Sequence, residues 1–175
     1  SFVFSKMTAA HPAHCLWLLV ALSNSTRAAP PGFAQGALYR GNVDKKDAAD
    51  AILANVRRTN REAVDQTVAL ASFYLAVSEI PKEMRKSTSV VQLPAGISRV
   101  RDLQAVPMPT LSLPLHGFDP SYSAPYVSRF ESNAQVLGGK SVPLRVSCIG
   151  SDGVVYPQVV KYEDDMRQDS VMQQL

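Results

Sequence analysis

Apolar positions in the first eighty residues recur at helical spacing, and after Pro81 they alternate instead. Leu16, Leu19, Val20 and Leu22, with Trp17 and Leu18, are apolar nearly all round, the pattern of a helix buried among others. His11-Pro12 can open that helix, since proline is tolerated in the first turn, and it runs on to Ser23. Residues 23–41, rich in Gly, Pro, Ala and Ser, predict a loop. Asp44 is the expected cap of a second helix, with Asp47 near its positive end and Ala48, Ile52 and Val56 on one face. Thr59-Asn60-Arg61-Glu62 has the form of a capping box, so a new helix is expected after a break at Arg57-Arg58. Val64, Val68, Ala71 and Leu75 supply its apolar stripe, and Ile80-Pro81 ends it. Helices joined in this way suit the end of a helical array.

Strands are expected beyond Pro81. Leu111, Leu113 and Leu115 alternate with Ser112 and Pro114, which predicts an edge strand. A second strand region covers 127–137 and ends at Gly138-Gly139. Leu144, Val146 and Cys148 alternate with Arg145 and Ser147, and 154–161 returns as a further strand. Between these two lies Gly150-Ser151-Asp152-Gly153, and Asp-Gly between alternating runs is a strong hairpin signal. Residues 163–175 read as a helix with an acidic start. The fold class is therefore α+β: helices followed by a β-rich module with one helix.

Composition narrows the function classes only slightly. Of 175 residues, 46% are hydrophobic and 19% charged, which is globular rather than disordered. A net charge of +3 gives no case for nucleic-acid or membrane binding by charge alone. Arg57, Arg58 and Arg61, with Lys45 and Lys46, read as a solvated helix face rather than a DNA-phosphate contact. Cys15 and Cys148 make neither a disulfide framework nor a zinc site, and point to a reduced intracellular compartment. His11 and His14 beside Cys15 lack further ligands, and helix packing accounts for them; Tyr122, Tyr126 and Phe130 read as packing rather than a stacking platform. Lys6, the apolar run 13–22 and Arg27-Ala28-Ala29-Pro30 trace the outline of a signal peptide. His14 interrupts that run, which is also well short of the roughly 20 apolar residues of a membrane span, so a buried helix is the better reading. The chain stops at Leu175 inside a helical pattern and is expected to be a fragment.

One constellation carries chemistry as a set: the 150–153 turn, then Lys161, then Asp164, Asp165, Arg167 and Asp169. A glycine turn lets backbone N–H groups approach an anion, a lysine on the returning strand can reach the same anion, and a carboxylate on the next helix can hold that lysine. Taken singly, each part has a plain structural reading: an ordinary hairpin, a solvated lysine, an acidic helix start.

The run Lys161-Tyr162-Glu163-Asp164-Asp165-Met166-Arg167-Gln168-Asp169, followed by Ser170-Val171-Met172-Gln173-Gln174, resembles a signature segment of the phosphatidylinositol 3-kinase-related protein kinases, above all the ataxia-telangiectasia-mutated (ATM) branch. Cys148-Ile149 with the 150–153 turn resembles that family's phosphate-covering loop. Val106-Pro107-Met108-Pro109-Thr110, and Phe130 with Val136-Leu137-Gly138-Gly139 and Pro143, resemble the start of its kinase domain. His11-Pro12-Ala13-His14 and Leu22-Ser23-Asn24 resemble the helical FAT region before it. Tyr162 departs from a usual glycine, and Met166 from a usual leucine.

The resemblance implies three parts: 1–82 as the end of a FAT-like domain, 83–105 as a connector, and 106–175 as the start of the kinase N-lobe. It also implies that Gly150, Ser151, Asp152 and Gly153 cover ATP phosphates, that Lys161 contacts them, that Asp164 pairs with Lys161, and that Asp169 lines the adenine pocket. ATP with Mg2+ or Mn2+ would be the cofactors, the metal ligands coming from the C-terminal lobe. Implied partners are protein substrates and DNA-damage sensor proteins, with a homodimer in the full-length protein, no membrane, no direct nucleic-acid contact by this segment, and a nuclear location. The 175 residues alone are expected to lack phosphotransfer activity. A phosphoinositide lipid kinase and a non-catalytic scaffold are the alternatives.

Overall fold

Ten elements follow one another in a computed structural model, which describes residues 2–24, 37–93, 96, 100–111, 113 and 124–161. Five helices come first: α1 (Phe2–Ala10), α2 (Pro12–Asn24), α3 (Ala37–Val56), α4 (Arg61–Ser78) and the short α5 (Lys82–Lys86). Five strands follow: β1 (Val90–Gln92), β2 (Leu103–Pro107), β3 (Tyr126–Val136), β4 (Leu144–Gly150) and β5 (Val155–Val160). The chain divides into two compact units, Ser1–Ser72 with Asp102–Val127 and Phe73–Arg101 with Ser128–Leu175. The division passes through α4 and β3, so each unit draws on two separate stretches.

In the first unit, Leu16 and Leu19 of α2, Ala49, Ile52 and Val56 of α3, and Ala63 and Val64 of α4 form the core. Proline does open α2, as expected, but Leu18 is 54% exposed, so the helix buries one face rather than its whole girth. α3 begins at Ala37, ahead of the expected Asp44 cap, and takes in Gly41 at a tolerable cost of about 1 kcal/mol. Its buried alanine is Ala49, and Ala48 faces solvent.

The break after α3 is real, but the capping box does not form. Thr59 donates its hydroxyl back to the Val56 carbonyl (3.2 Å), closing α3, and Glu62 accepts from Gln66. Asn60 takes the cap position, its carbonyl receiving Val64 N–H while its amide reaches the Ala9 carbonyl. Arg57 and Arg61 both bond Asp65, and Lys46 pairs with Asp50, so these cations have local acidic partners.

α4 buries a stripe rotated from the predicted one. Ala63, Val64, Thr67, Leu70, Phe73 and Val77 point inward, whereas Val68 (38%) and Leu75 (37%) remain partly exposed. The face with the larger side chains, Leu70 and Phe73, takes the core, because it removes more apolar area from water. Past Ser78 the helix stops, as Ile80-Pro81 requires, but α5 and β1 follow where the sequence predicts no element.

In the second unit the strand order is β1-β3-β4-β5, with β1 antiparallel to β3 (Val91 opposite Ala134) and β4 antiparallel to β5. β2 belongs to the first unit and pairs with the opening residues of β3, Leu103 opposite Val127. No strand forms at Leu111 or Leu113; Met108 and Leu111 close a turn instead, and the strand of that region is β2. β3, β4 and β5 lie where the sequence predicts strands. Phe130 of β3 stacks at 4.4 Å on Phe73, with Tyr74 edge-on at 6.0 Å, so it is a core ring. Among the described residues no helix is long and apolar enough to cross a membrane. The predicted 163–175 helix lies outside the described residues.

Candidate functional site

β4 and β5 form the frame on which every described candidate residue sits. Leu144, Val146 and Cys148 are fully buried on one face of β4, and across from them stand Val160, Gln158 and Tyr156. Burial pushes the Cys148 thiol up to about 12. Gln158, 93% buried, accepts the Tyr74 hydroxyl. Burial, followed by the nearby Cys148, raises the Tyr74 phenol above its ordinary range, against the Gln158 bond. The opposite face carries Arg145 and Ser147, with Val155 and Val159 each 51% exposed. Pro157 is tolerated because β5 ends the strand order among the described residues.

The 150–153 turn is closed upon itself. Gly150 N–H donates to Val154 O (2.9 Å), Gly153 N–H to Gly150 O (3.0 Å), and Val154 N–H to the Asp152 carboxylate (3.0 Å). Gly153 adopts φ +77°, a conformation that favours glycine. The Tyr156 hydroxyl bonds the other Asp152 oxygen at 2.6 Å, and this bond, more than the Val154 amide, holds the carboxyl below its usual range. Two amides of the turn, those of Gly150 and Gly153, thus have partners within the hairpin, and its tip presents an ionised carboxylate.

Lys161 follows the last residue of β5, and the register sets it at the other end of the hairpin. Ile149 faces Val155 beside the turn; Leu144 faces Val160 at the far end. Five strand steps separate Val155 from Val160, roughly 17 Å at about 3.3 Å per residue. The structure therefore does not bring Gly150, Ser151, Asp152 and Gly153 together with Lys161 around one phosphate group.

A different glycine turn shares the sheet end with Lys161. The β3–β4 connection, 137–143, ends at Pro143, immediately before the Leu144–Val160 pair. Leu137 N–H bonds Pro143 O (2.9 Å), Val142 N–H bonds Gly139 O (3.4 Å), and Gly139 adopts φ +115°. Gly138 and Gly139 are open: a Cβ on either would meet no atom within 4 Å. Lys140 and Ser141 sit beside them. In the sequence Gly138-Gly139 reads as a strand end and as part of the resemblance to the start of a kinase domain, without an assigned contact to phosphate. The signal that finds the turn is topological, since in antiparallel strands the turn before β4 and the residue after β5 fall at the same end. Lys161 itself is half-buried, and Asp164 and Asp169 lie outside the described residues.

No family model matches the chain. Over 188 residues it is 26% identical to a serine-protein kinase ATM of Sus scrofa, covering 99% of the chain. Over 175 residues it is 31% identical to a serine/threonine-protein kinase ATM of Arabidopsis thaliana, covering 97% of it. The chain spans only 6% and 4% of those relatives' lengths. Among solved structures, the complete CtTel1 dimer with C2 symmetry matches 98% of the chain at TM-score 0.72 and 24% identity. The FAT and kinase domain of CtTel1 matches 98% at TM-score 0.71 and 22% identity. The fold is thus that of helices leading into an α+β kinase N-lobe.

Proposed function

The chain belongs, by homology over nearly its whole length, to the ATM/Tel1 group of phosphatidylinositol 3-kinase-related kinases, and from this premise we propose that it forms one side of an ATP site in a serine/threonine protein kinase. In this reading Lys161 contacts the nucleotide's phosphates and the 137–143 turn covers them. Support comes from the register that sets both at one end of the sheet. The open Gly138 and Gly139 leave room for close approach of a phosphate, and Lys140 and Ser141 add a charge and a hydroxyl. Val159, half-exposed on the outer face of β5, offers an apolar surface for the base.

Asp164 is proposed as the acid that pairs with Lys161, and Asp169 as part of the adenine pocket. The divalent cation, Mg2+ or Mn2+, would supply phosphate charge neutralisation, its ligands coming from the family's C-terminal lobe. The proposed division is 1–82 FAT-like, 83–105 connector and 106–175 N-lobe. The 150–153 turn, whose Gly150 and Gly153 amides bond within the hairpin, serves in this reading as a structural tip. For the whole protein we propose protein substrates of the DNA-damage response, sensor proteins of that response as partners, a nuclear location and a homodimer, the last supported by the C2 symmetry of the CtTel1 dimer.

The test is ATP binding by the intact protein with Lys161→Ala. Removing a charge-assisted hydrogen bond to a phosphate weakens binding by about tenfold or more. Equal affinity in variant and parent would remove the role assigned to Lys161.

A further inference from the structure

Arg85 is a charged residue in a place where charge is expensive. It belongs to α5, is only 3% exposed, and no acidic residue bonds it among the described residues. Its Nη1 donates to the Val142 carbonyl (3.2 Å) and its Nη2 to the Ser78 carbonyl (3.5 Å) at the end of α4. Nε finds no acceptor among the described residues. A guanidinium held away from water by two carbonyls alone does little for stability, which makes its location informative.

The location is the 137–143 turn. Val142 sits at φ +48°, a left-handed conformation strained for a β-branched residue. Its side chain is buried, and its carbonyl is the one that Arg85 grips. The guanidinium fork thus fastens the strained corner of the turn to the last turn of α4. Its planar geometry lets two carbonyls from separate segments be held at once, which a lysine ammonium on a flexible stem does less rigidly.

We propose that Arg85 is a positioning residue for the nucleotide: by clamping the Val142 carbonyl it holds the 137–143 turn in the shape that covers ATP phosphates. The nucleotide part rests on the reading of that turn given above; the clamp does not.

Two readouts on the intact protein separate them. Arg85→Gln is expected to accelerate amide hydrogen exchange at Leu137 and Val142, whose N–H groups close the turn. It is also expected to raise the KM for ATP about tenfold while kcat stays within about twofold, the pattern of weakened substrate binding. Arg85→Lys should lie between the two and decides the matter if Arg85→Gln does not fold. Unchanged exchange at both amides overturns the clamp. Faster exchange with an unchanged KM for ATP overturns the link to nucleotide. In that case Lys161→Ala in the same assay assigns the failure: if it too binds ATP normally, the nucleotide reading has failed, and if it no longer binds ATP, the inference about Arg85 alone has failed.

Discussion

Tyr156 donates its hydroxyl to the Asp152 carboxylate at 2.6 Å, across the tip of the β4–β5 hairpin. The bond ties the second residue of β5 to the turn that precedes it, and it favours the ionised acid. Asp152 is therefore held below the ordinary carboxylate value of 3.8. A depressed acid contributes stability that is complete above its unfolded pKa and is lost as the pH falls through the folded one. Tyr156→Phe should lower thermal stability at neutral pH, and the gap to the parent should close below about pH 4. A pH series of melting curves checks this; a gap independent of pH would mean that the phenol acts through packing alone.

Gly150 is enclosed by that same pair. A Cβ there would lie 2.4 Å from Asp152 Oδ1 and 2.8 Å from Tyr156 Cε2. Gly150→Ala should destabilise by about 1–3 kcal/mol, the range for overpacking. The same substitution made in a Tyr156→Ala background should do less damage, because the ring has gone. Denaturant melts of the four proteins measure the coupling, and strict additivity would refute the steric account.

Tyr74, partly buried, donates its hydroxyl to the amide oxygen of the buried Gln158. Tyr74→Phe keeps the ring on Phe130 but removes the hydroxyl that Gln158 accepts, so a loss of about 1 kcal/mol is expected. Removing the amide as well, in Tyr74→Phe/Gln158→Leu, should recover much of that loss. Failure to recover would show that Gln158 finds another donor.

Cys148 is fully buried and its thiol is pushed up to about 12, so almost no thiolate exists at pH 8. Iodoacetamide should leave it unlabelled in the folded protein and label it after denaturation, as read by peptide mass mapping. Rapid native labelling would show that β4 opens readily.

Alternation in the sequence is enough to mark β4, because a strand buried on one face writes a period of two into the chain; β3 shows no such period, its buried residues being Val127, Phe130 and Ala134. Asp152-Gly153 marks the hairpin, since few other pairs suit that turn, and Pro12 and Ile80-Pro81 bound helices through the fixed geometry of proline. Each of these is a local rule. The rotation of α4 is not local: two apolar stripes are available, and only the neighbours of Leu70 and Phe73 select between them. Arg85 reads from sequence as one cation in a polar stretch, and burial beside Val142 is a property of the folded second unit alone.

Sequence by itself determined the β4–β5 hairpin, and the motif carrying Lys161, Asp164 and Asp169, because spacing along the chain is all that these need. Tertiary structure decided which glycine turn shares a sheet end with Lys161. Motif order suggests 150–153, eight residues upstream, but antiparallel register carries that turn to one end of the hairpin and Lys161 to the other. Proximity along a strand and proximity in space differ by the direction in which the chain runs, and only pairing with a neighbour settles that.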